Sequence, residues 1–235
     1  MPVFMLSQQL VFPSPRFAGD DGLLAVGGDL STERLLLAYR NGIFPWYDEE
    51  SPILWWSPNP RMAFRPGEVH CSHSLRKWIR QRRYNVTMDR AFSDVIRACA
   101  AIPRKGPGAG TWILPEMIEA YTRLHDLGYA HSVEVWSGDQ LAGGMYGVSL
   151  GRCFFGESMF SACPNASKVA MVAADRQWRR WGFKMFDAQL HTPHLERMGG
   201  SAMPRGEYLD LLKQWGCEPD RTGAWQFEPS CLEEI

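Results

Sequence analysis

Several signatures are missing from this 235-residue chain, and each absence excludes something. No uninterrupted apolar run approaches the ~20 residues of a membrane helix. The Met1 end has neither a basic n-region nor an apolar h-region, so a cytoplasmic location is expected. Cys71, Cys99, Cys153, Cys163, Cys217 and Cys231 form no Cys-x-x-Cys pair, and are expected as reduced thiols in core slots, not as a disulfide framework or zinc site. There is no Walker pattern and no dinucleotide fingerprint, so ATP and NAD use are unsupported and no cofactor is expected. The Gly-x-Ser-x-Gly elbow is absent too: around Ser158 the fifth position is Phe160, which argues against an acyl-serine. His191 and His194 form an H-x-x-H pair near Asp187, but Pro193 interrupts it and no further Cys or His is suitably spaced, so no metal site is expected.

A strong net charge is also missing: 25 basic residues stand against 26 acidic ones, for a net −1. The balance is uneven along the chain. From Arg76 to Lys105 come Arg76, Lys77, Arg80, Arg82, Arg83, Arg90, Arg97, Arg104 and Lys105, against only Asp89 and Asp94. Such a patch can present a field to a polyanion, although a solvated helical face explains it equally well on charge alone.

What is present is core material and α/β patterning. The chain is 45% hydrophobic, with ten Trp and twelve Phe. Leu141–Val148 reads as a strand, Leu150-Gly151 as a turn and Arg152–Gly156 as a second strand, after which Glu157-Ser158-Met159-Phe160-Ser161 leads into a helix opened by Asn165 or Ser167. An acid and two hydroxyls thus stand where sheet gives way to helix, the kind of junction where α/β folds bind ligands.

Before it, residues 1–60 are rich in Pro, Gly and Trp and read as a small module packed on a larger unit, 61–235, with one helix from Ser31 or Thr32 to Asn41-Gly42. The larger unit alternates strands (61–64, 84–88, 131–136, 183–190) with helices (74–82, 91–100, 115–127, from 165 and from 204), and 102–110 reads as a mobile Gly/Pro-rich loop. In the late strand Asp187 and Gln189 share one face, flanked by Phe186 and Leu190. Buried polar groups need partners, so convergence of Glu157, Asp187 and Gln189 on one cavity walled by Met145, Phe154, Met159 and Phe160 is an attractive reading; two acids in an apolar hollow suit a cationic ligand. The plainer reading is that each acid pairs with a structural arginine. Trp46, Trp55 and Trp56 fit a buried seam better than ligand contacts.

Longer blocks point further. Phe44–Trp46 (FPW), Leu54–Arg61 (LWWSPNPR), Gly110–Ile113 (GTWI), Ala120–Trp136, Gly143–Val148 (GGMYGV), Phe155–Ser161 (FGESMFS), Asn165–Lys168 (NASK) and Asp187–Leu190 (DAQL) closely resemble the bacterial leucyl/phenylalanyl-tRNA–protein transferase family over nearly the whole chain. The resemblance implies a small N-terminal domain on a larger acetyltransferase-type (GNAT-like) α/β domain. It also implies transfer of Leu or Phe, less readily Met, from aminoacyl-tRNA to a protein beginning with Arg or Lys, marking it for N-degron degradation, by an enzyme expected to be monomeric. On that reading Asp187 with Gln189 orients the attacking amine and steers its proton, while Glu157 with Asp187 holds the acceptor's basic side chain. Met145, Phe154, Met159 or Phe160, Met171 and Trp178 form the donor pocket, Trp46 and Trp112 stack on the terminal adenine, and Arg76, Lys77, Arg80, Arg82 and Arg83 lie along acceptor-stem phosphates. Two rivals are an acyl-CoA-dependent N-acetyltransferase, for which no pyrophosphate loop is found, and a non-enzymatic RNA-binding module, which would leave Asp187 and Gln189 idle.

Overall fold

The computed structural model describes residues 3–102 and 111–233. Most of the expected loop 102–110, with Arg104 and Lys105, lies outside the described residues.

Within residues 1–60, in which the sequence offers one helix, the chain also forms a four-stranded sheet. Its strands are β1 (Phe4–Leu6), β2 (Leu23–Gly27), β3 (Phe44–Pro45) and β4 (Leu54–Trp56), in the order β1-β2-β4-β3, with α1 (Thr32–Arg40) between β2 and β3. Packing outweighs the weak strand propensity: Trp55 is fully buried and its indole N–H donates to the Gly27 carbonyl at 2.8 Å. Pro45 is tolerated because β3 is an edge, where a missing donor costs no inner ladder bond.

From Arg61 onward the chain builds a seven-stranded sheet. It contains β5 (Arg61–Phe64), β6 (Asn85–Met88), β7 (Ala130–Ser137), β8 (Gln140–Leu150), β9 (Cys153–Ser161), β10 (Met185–Gln189) and β11 (Ser201–Met203), ordered β11-β5-β10-β9-β8-β7-β6. The helices are α2 (His73–Arg80), α3 (Phe92–Ala100), α4 (Pro115–Asp126), α5 (Ala166–Arg180), α6 (Pro193–Arg197), α7 (Arg205–Trp215) and α8 (Ser230–Glu233). In α4, Pro115 opens the helix; of the one-face set Met117, Ile118, Tyr121 and Leu124 that the spacing predicts, Ile118 is only half-buried, and Ala120 completes the buried stripe. Helices α3 and α4 cover one face of the sheet, and α5, with α2 against it, covers the other.

Strand alternation divides the core accordingly. Tyr146, Phe155 and Met185 point to the α3/α4 side, while Met145, Phe154 and Phe186 point to the α5 side. The first of these cores continues into the N-terminal sheet, taking in Leu24, Leu35, Tyr39, Phe44 and Trp55.

One departure from expectation creates the site. Residues 157–161 are not a connection to a helix; they extend β9, paired antiparallel with β8 as far as Gly143 opposite Ser161. The parallel pairing of β9 with β10 ends at Phe155 opposite Asp187. Beyond that point the two strands part, and a wedge opens inside the sheet.

Candidate active site

Both walls of the wedge carry a β-bulge. On β9, Gly147 of β8 faces Gly156 and Tyr146 faces Ser158, which makes Glu157 the extra residue. On β10, Asp187 faces Ala63 and Gln189 faces Met62, so Ala188 is extra, and Gln189 takes a left-handed backbone with φ 62°. Bulges re-aim side chains, and here they separate residues that a regular strand would keep on one face. The β8–β9 approach is close: a Cβ on Gly147 would stand 2.1 Å from the Phe155 carbonyl oxygen and 2.7 Å from the Phe154 ring.

Between the walls lies a cavity of about 220 Å³ lined by Met145, Gly156, Glu157, Ser158, Met159, Phe186, Ala188, Thr192, His194 and Leu195. That is below the ~300–1,000 Å³ typical of drug-sized ligands and suits a single amino-acid side chain.

Glu157 is its one acid. The Tyr39 hydroxyl donates to Oε1 at 2.7 Å, the Gln189 amide Nε2 donates to the same oxygen at 2.7 Å, and the Tyr121 hydroxyl donates to Oε2 at 3.1 Å. The two hydroxyls also contact each other. Burial pushes the Glu157 carboxyl up from its ordinary 4.5 to about 7, against the lowering effect of the hydrogen bonds from Tyr39, Tyr121 and Gln189. Burial, with Glu157 nearby, raises both tyrosines well above their ordinary value, so they stay protonated donors.

Asp187 is not in the cavity, a correction to its expected contact with the acceptor. It is fully buried, and Arg61 grips it bidentately, Nε to Oδ1 at 2.9 Å and Nη2 to Oδ2 at 2.7 Å. Tyr208 donates to Oδ2 at 2.7 Å, and the Gln189 backbone N–H to Oδ1 at 2.8 Å. The structural-arginine alternative is therefore the observed one. Burial works against the charge of Arg61, but Asp187 outweighs it and holds the guanidinium's pKa above its ordinary value. With all these bonds made, Asp187 still reaches the site through Gln189, whose bulged backbone it fixes.

The expected pocket residues divide. Met145 and Met159 line the cavity. Phe154, Met171 and Trp178 do not; they are fully buried in the α5-side core, where the Phe154 and Trp178 rings back the cavity wall Phe186 at 6.1 and 5.0 Å between centroids. Phe160 belongs to the core on the opposite face, because the bulge at Glu157 changes the alternation. Trp46 is 39% exposed, with its ring edge-on to Trp56, and its neighbour Tyr47 donates to Glu116 at 3.2 Å; Trp112 lies just before that same helix α4, half-buried. His191 pairs with Glu196 at 3.3 Å, so Asp187, His191 and His194 assemble no common site.

On α2 and just after it, Arg76, Lys77, Arg80, Arg82 and Arg83 are all exposed. Arg82 lies 3.6 Å from Glu233, and Arg83 sits over the Trp78 ring at 4.5 Å. A hollow of about 650 Å³ beside them, at the β6 edge, is lined by Arg80, Arg82, Arg83, Tyr84 and Trp136; it is larger than the wedge but separate from it.

Sequence reasoning missed Tyr39, Tyr121, Arg61 and Tyr208. Arg61 carried a signal, a lone cation opening the otherwise apolar strand Arg61-Met62-Ala63-Phe64. The tyrosines carried none, since their spacing matches that of the helix stripes in which they sit.

These features define an α/β protein whose parted sheet holds an apolar, side-chain-sized cleft with one hydrogen-bonded acid at its wall. Residues 28–59 match the family described as the leucyl/phenylalanyl-tRNA protein transferase N-terminal domain, and residues 63–213 match leucyl/phenylalanyl-tRNA protein transferase; the chain belongs to this family. Curated relatives bearing the name leucyl/phenylalanyl-tRNA–protein transferase include one from Anaeromyxobacter sp. (strain Fw109-5), 54% identical over 97% of each chain. Another, from Desulfatibacillum aliphaticivorans, is 55% identical over 97% of each. A third, from Desulforapulum autotrophicum, is 56% identical over 97% of this chain and 99% of that one. Among solved structures, a GCN5-related N-acetyltransferase from Sphaerobacter thermophilus is similar over 80% of this chain and 60% of that one, at 15% identity and a TM-score of 0.35.

Proposed function

We propose that this protein transfers Leu or Phe, and less readily Met, from aminoacyl-tRNA to proteins beginning with Arg or Lys, and so commits them to N-degron degradation. Family membership supports the reaction class. The observation that carries the reading at residue level is the small apolar cleft with Glu157 and Gln189 hydrogen-bonded together at its edge.

An aminoacyl ester is already activated, so a neutral amine displaces the ribose oxygen without ATP. The protein supplies position and proton management. The donor side chain enters between Met145 and Met159, with Phe186 as a wall backed by Phe154 and Trp178 and with Met171 deeper in the same core. An apolar pocket discriminates by only ~1–3 kcal/mol per methylene, which fits tolerance of Leu, Phe and Met. Gln189 orients the acceptor, Asp187 positions Gln189 from behind, and Glu157 meets the acceptor's positive charge. Trp46 and Trp112 stack on the terminal adenine. Arg76, Lys77, Arg80, Arg82 and Arg83 lie along the acceptor-stem phosphates, contacts that are insensitive to sequence and sensitive to salt.

No helix among the described residues is long and apolar enough to cross a membrane. A cytoplasmic monomer is the arrangement that suits a tRNA substrate and a nascent or cleaved protein acceptor. The deciding experiment offers Phe-tRNA and a peptide starting with Arg, then seeks Phe at the new N-terminus by mass spectrometry. Transfer is expected; a peptide left unmodified, with the tRNA charged and the protein folded, overturns the assignment.

A further inference from the structure

An acceptor beginning with Arg or Lys carries cations on both its α-amine and its side chain, and only the α-amine must become neutral to react. Glu157 is poorly matched to a permanent counter-ion role: with a carboxyl at about 7, it is partly protonated near neutrality. It is well matched to an α-ammonium, whose ordinary pKa is about 7.7–8.0.

The geometry around it is that of a proton store. Three oxygen–oxygen contacts link Tyr39 to Oε1, Tyr121 to Oε2, and Tyr39 to Tyr121. While Glu157 is ionised, the tyrosines supply only two protons for these contacts. One proton added to Oε2 completes the ring, running from Oε2 to the Tyr121 oxygen, from Tyr121 to the Tyr39 oxygen, and from Tyr39 back to Oε1. Tyr39 and Tyr121 are fully buried, and Glu157 alone of the three lines the cavity.

We infer that Glu157, Tyr39 and Tyr121 act as one proton-accepting cluster, which takes the proton shed by the acceptor's α-ammonium. The inference rests on the transferase reading above and names the group that Glu157 serves. An N–H bond of the ammonium breaks and its proton passes to the Glu157 carboxylate. The freed lone pair forms the C–N bond at the ester carbonyl. The C–O bond to ribose then breaks, its electron pair stays on the ribose oxygen, and that oxygen takes the second amine proton. The net products are the amide, the ribose hydroxyl and one proton, which leaves Glu157 for water through the cavity mouth. Tyr39 and Tyr121 are positioning residues in this scheme. The other ionisable groups around the cluster are Tyr146 on β8, Asp187 on β10, Arg61 on β5 and His194 across the cavity, the last lowered by burial and then by Lys168 and Arg197.

The test is the pH profile of kcat/KM from pH 5.5 to 9 for wild type, Tyr39→Phe and Tyr121→Phe, with Phe-tRNA and an Arg-initiated peptide. Wild-type activity is expected to rise with pH through an apparent pKa near that of Glu157. Each Phe variant removes a donor to the carboxylate and shifts the rising limb to higher pH. A shift of about one unit reads as roughly tenfold slower transfer at pH 6.5, shrinking to about twofold or less at pH 8.5. Loss in equal proportion at every pH, or an unmoved profile, overturns the inference. Should the Phe variants fail to fold, Glu157→Gln serves instead: transfer is expected to fall ~10²-fold or more and the limb to vanish while Phe-tRNA binding persists. A Gln variant that keeps the wild-type limb overturns it too. Failure of wild type to transfer Phe would sink the transferase reading, whereas wild-type transfer with unshifted variants sinks only this inference.

Discussion

Burial of Glu157 costs the fold stability as pH rises. Its folded-state carboxyl is raised from 4.5 to about 7, so the folded protein holds a proton that the unfolded chain releases at lower pH. Stability contributed by that proton is full below the unfolded value and is lost as pH rises through about 7. Glu157→Gln is therefore expected to gain stability relative to wild type at pH 8.5, by about 1–2 kcal/mol after allowance for solvent screening, with little gain at pH 5. Urea denaturation at the two pH values checks this; an equal gain at both contradicts it. Arg61 and Asp187 behave differently, being sealed against each other at 2.7 Å with 1% and 0% side-chain exposure. Arg61→Met alone should cost ~3–5 kcal/mol by stranding a buried carboxylate, and adding Asp187→Leu should recover much of that loss while leaving Gln189 unanchored. Recovered stability with transfer still low would separate the two duties. The pair was half legible in the sequence: a buried acid was foreseeable from Phe186-Asp187-Ala188, but its partner lies 126 residues away on a strand whose neighbour in the sheet order no periodicity reveals.

Elements were the most legible level, because long periodic segments report burial directly. The one-face spacing of Met117, Tyr121 and Leu124 in α4 and the alternation in β6, where Val86 and Met88 are buried, each fixed an element and its inner face. The β-bulges were not legible, since one extra residue changes no composition and shifts the period only locally. That is why Asp187 and Gln189, expected side by side, point to different partners, and why Phe160 falls in the opposite core. The β8–β9 bulge depends on close backbone approach at Gly147, so Gly147→Ala should destabilise by several kcal/mol and depress transfer, though Gly147 does not itself line the cavity. Thermal unfolding with an activity assay measures both. The element richest in exposed charge, α2, yields a different kind of expectation. Charge reversal of Arg80, Arg82 and Arg83 to Glu should leave stability within about 0.5 kcal/mol while raising KM for charged tRNA and flattening its salt dependence. An unchanged KM removes this face from tRNA recognition.

At the scale of the molecule, the core on the α3/α4 side runs without interruption from Trp55 and Leu24 to Phe155 and Tyr146. Tyr39, from the N-terminal unit, ends at the Glu157 carboxylate of the larger one. Two sheets joined in this way should melt together: a single calorimetric transition is expected, coincident by tryptophan fluorescence and far-ultraviolet circular dichroism, and two resolved transitions would contradict a shared core. The N-terminal sheet was the least legible region, because its short strands carry Pro and Gly and are held by tryptophan packing with partners remote in sequence. Finally, the parting of β9 and β10 sets the size of the cleft through main-chain geometry as much as through its lining. Moving the fork by one peptide would change clearance in increments of about 3.3 Å, coarser than any side-chain swap allows. Admitting a bulkier side chain to the cleft is thus a question of where the ladder unzips, and trimming methionines would only fine-tune the result.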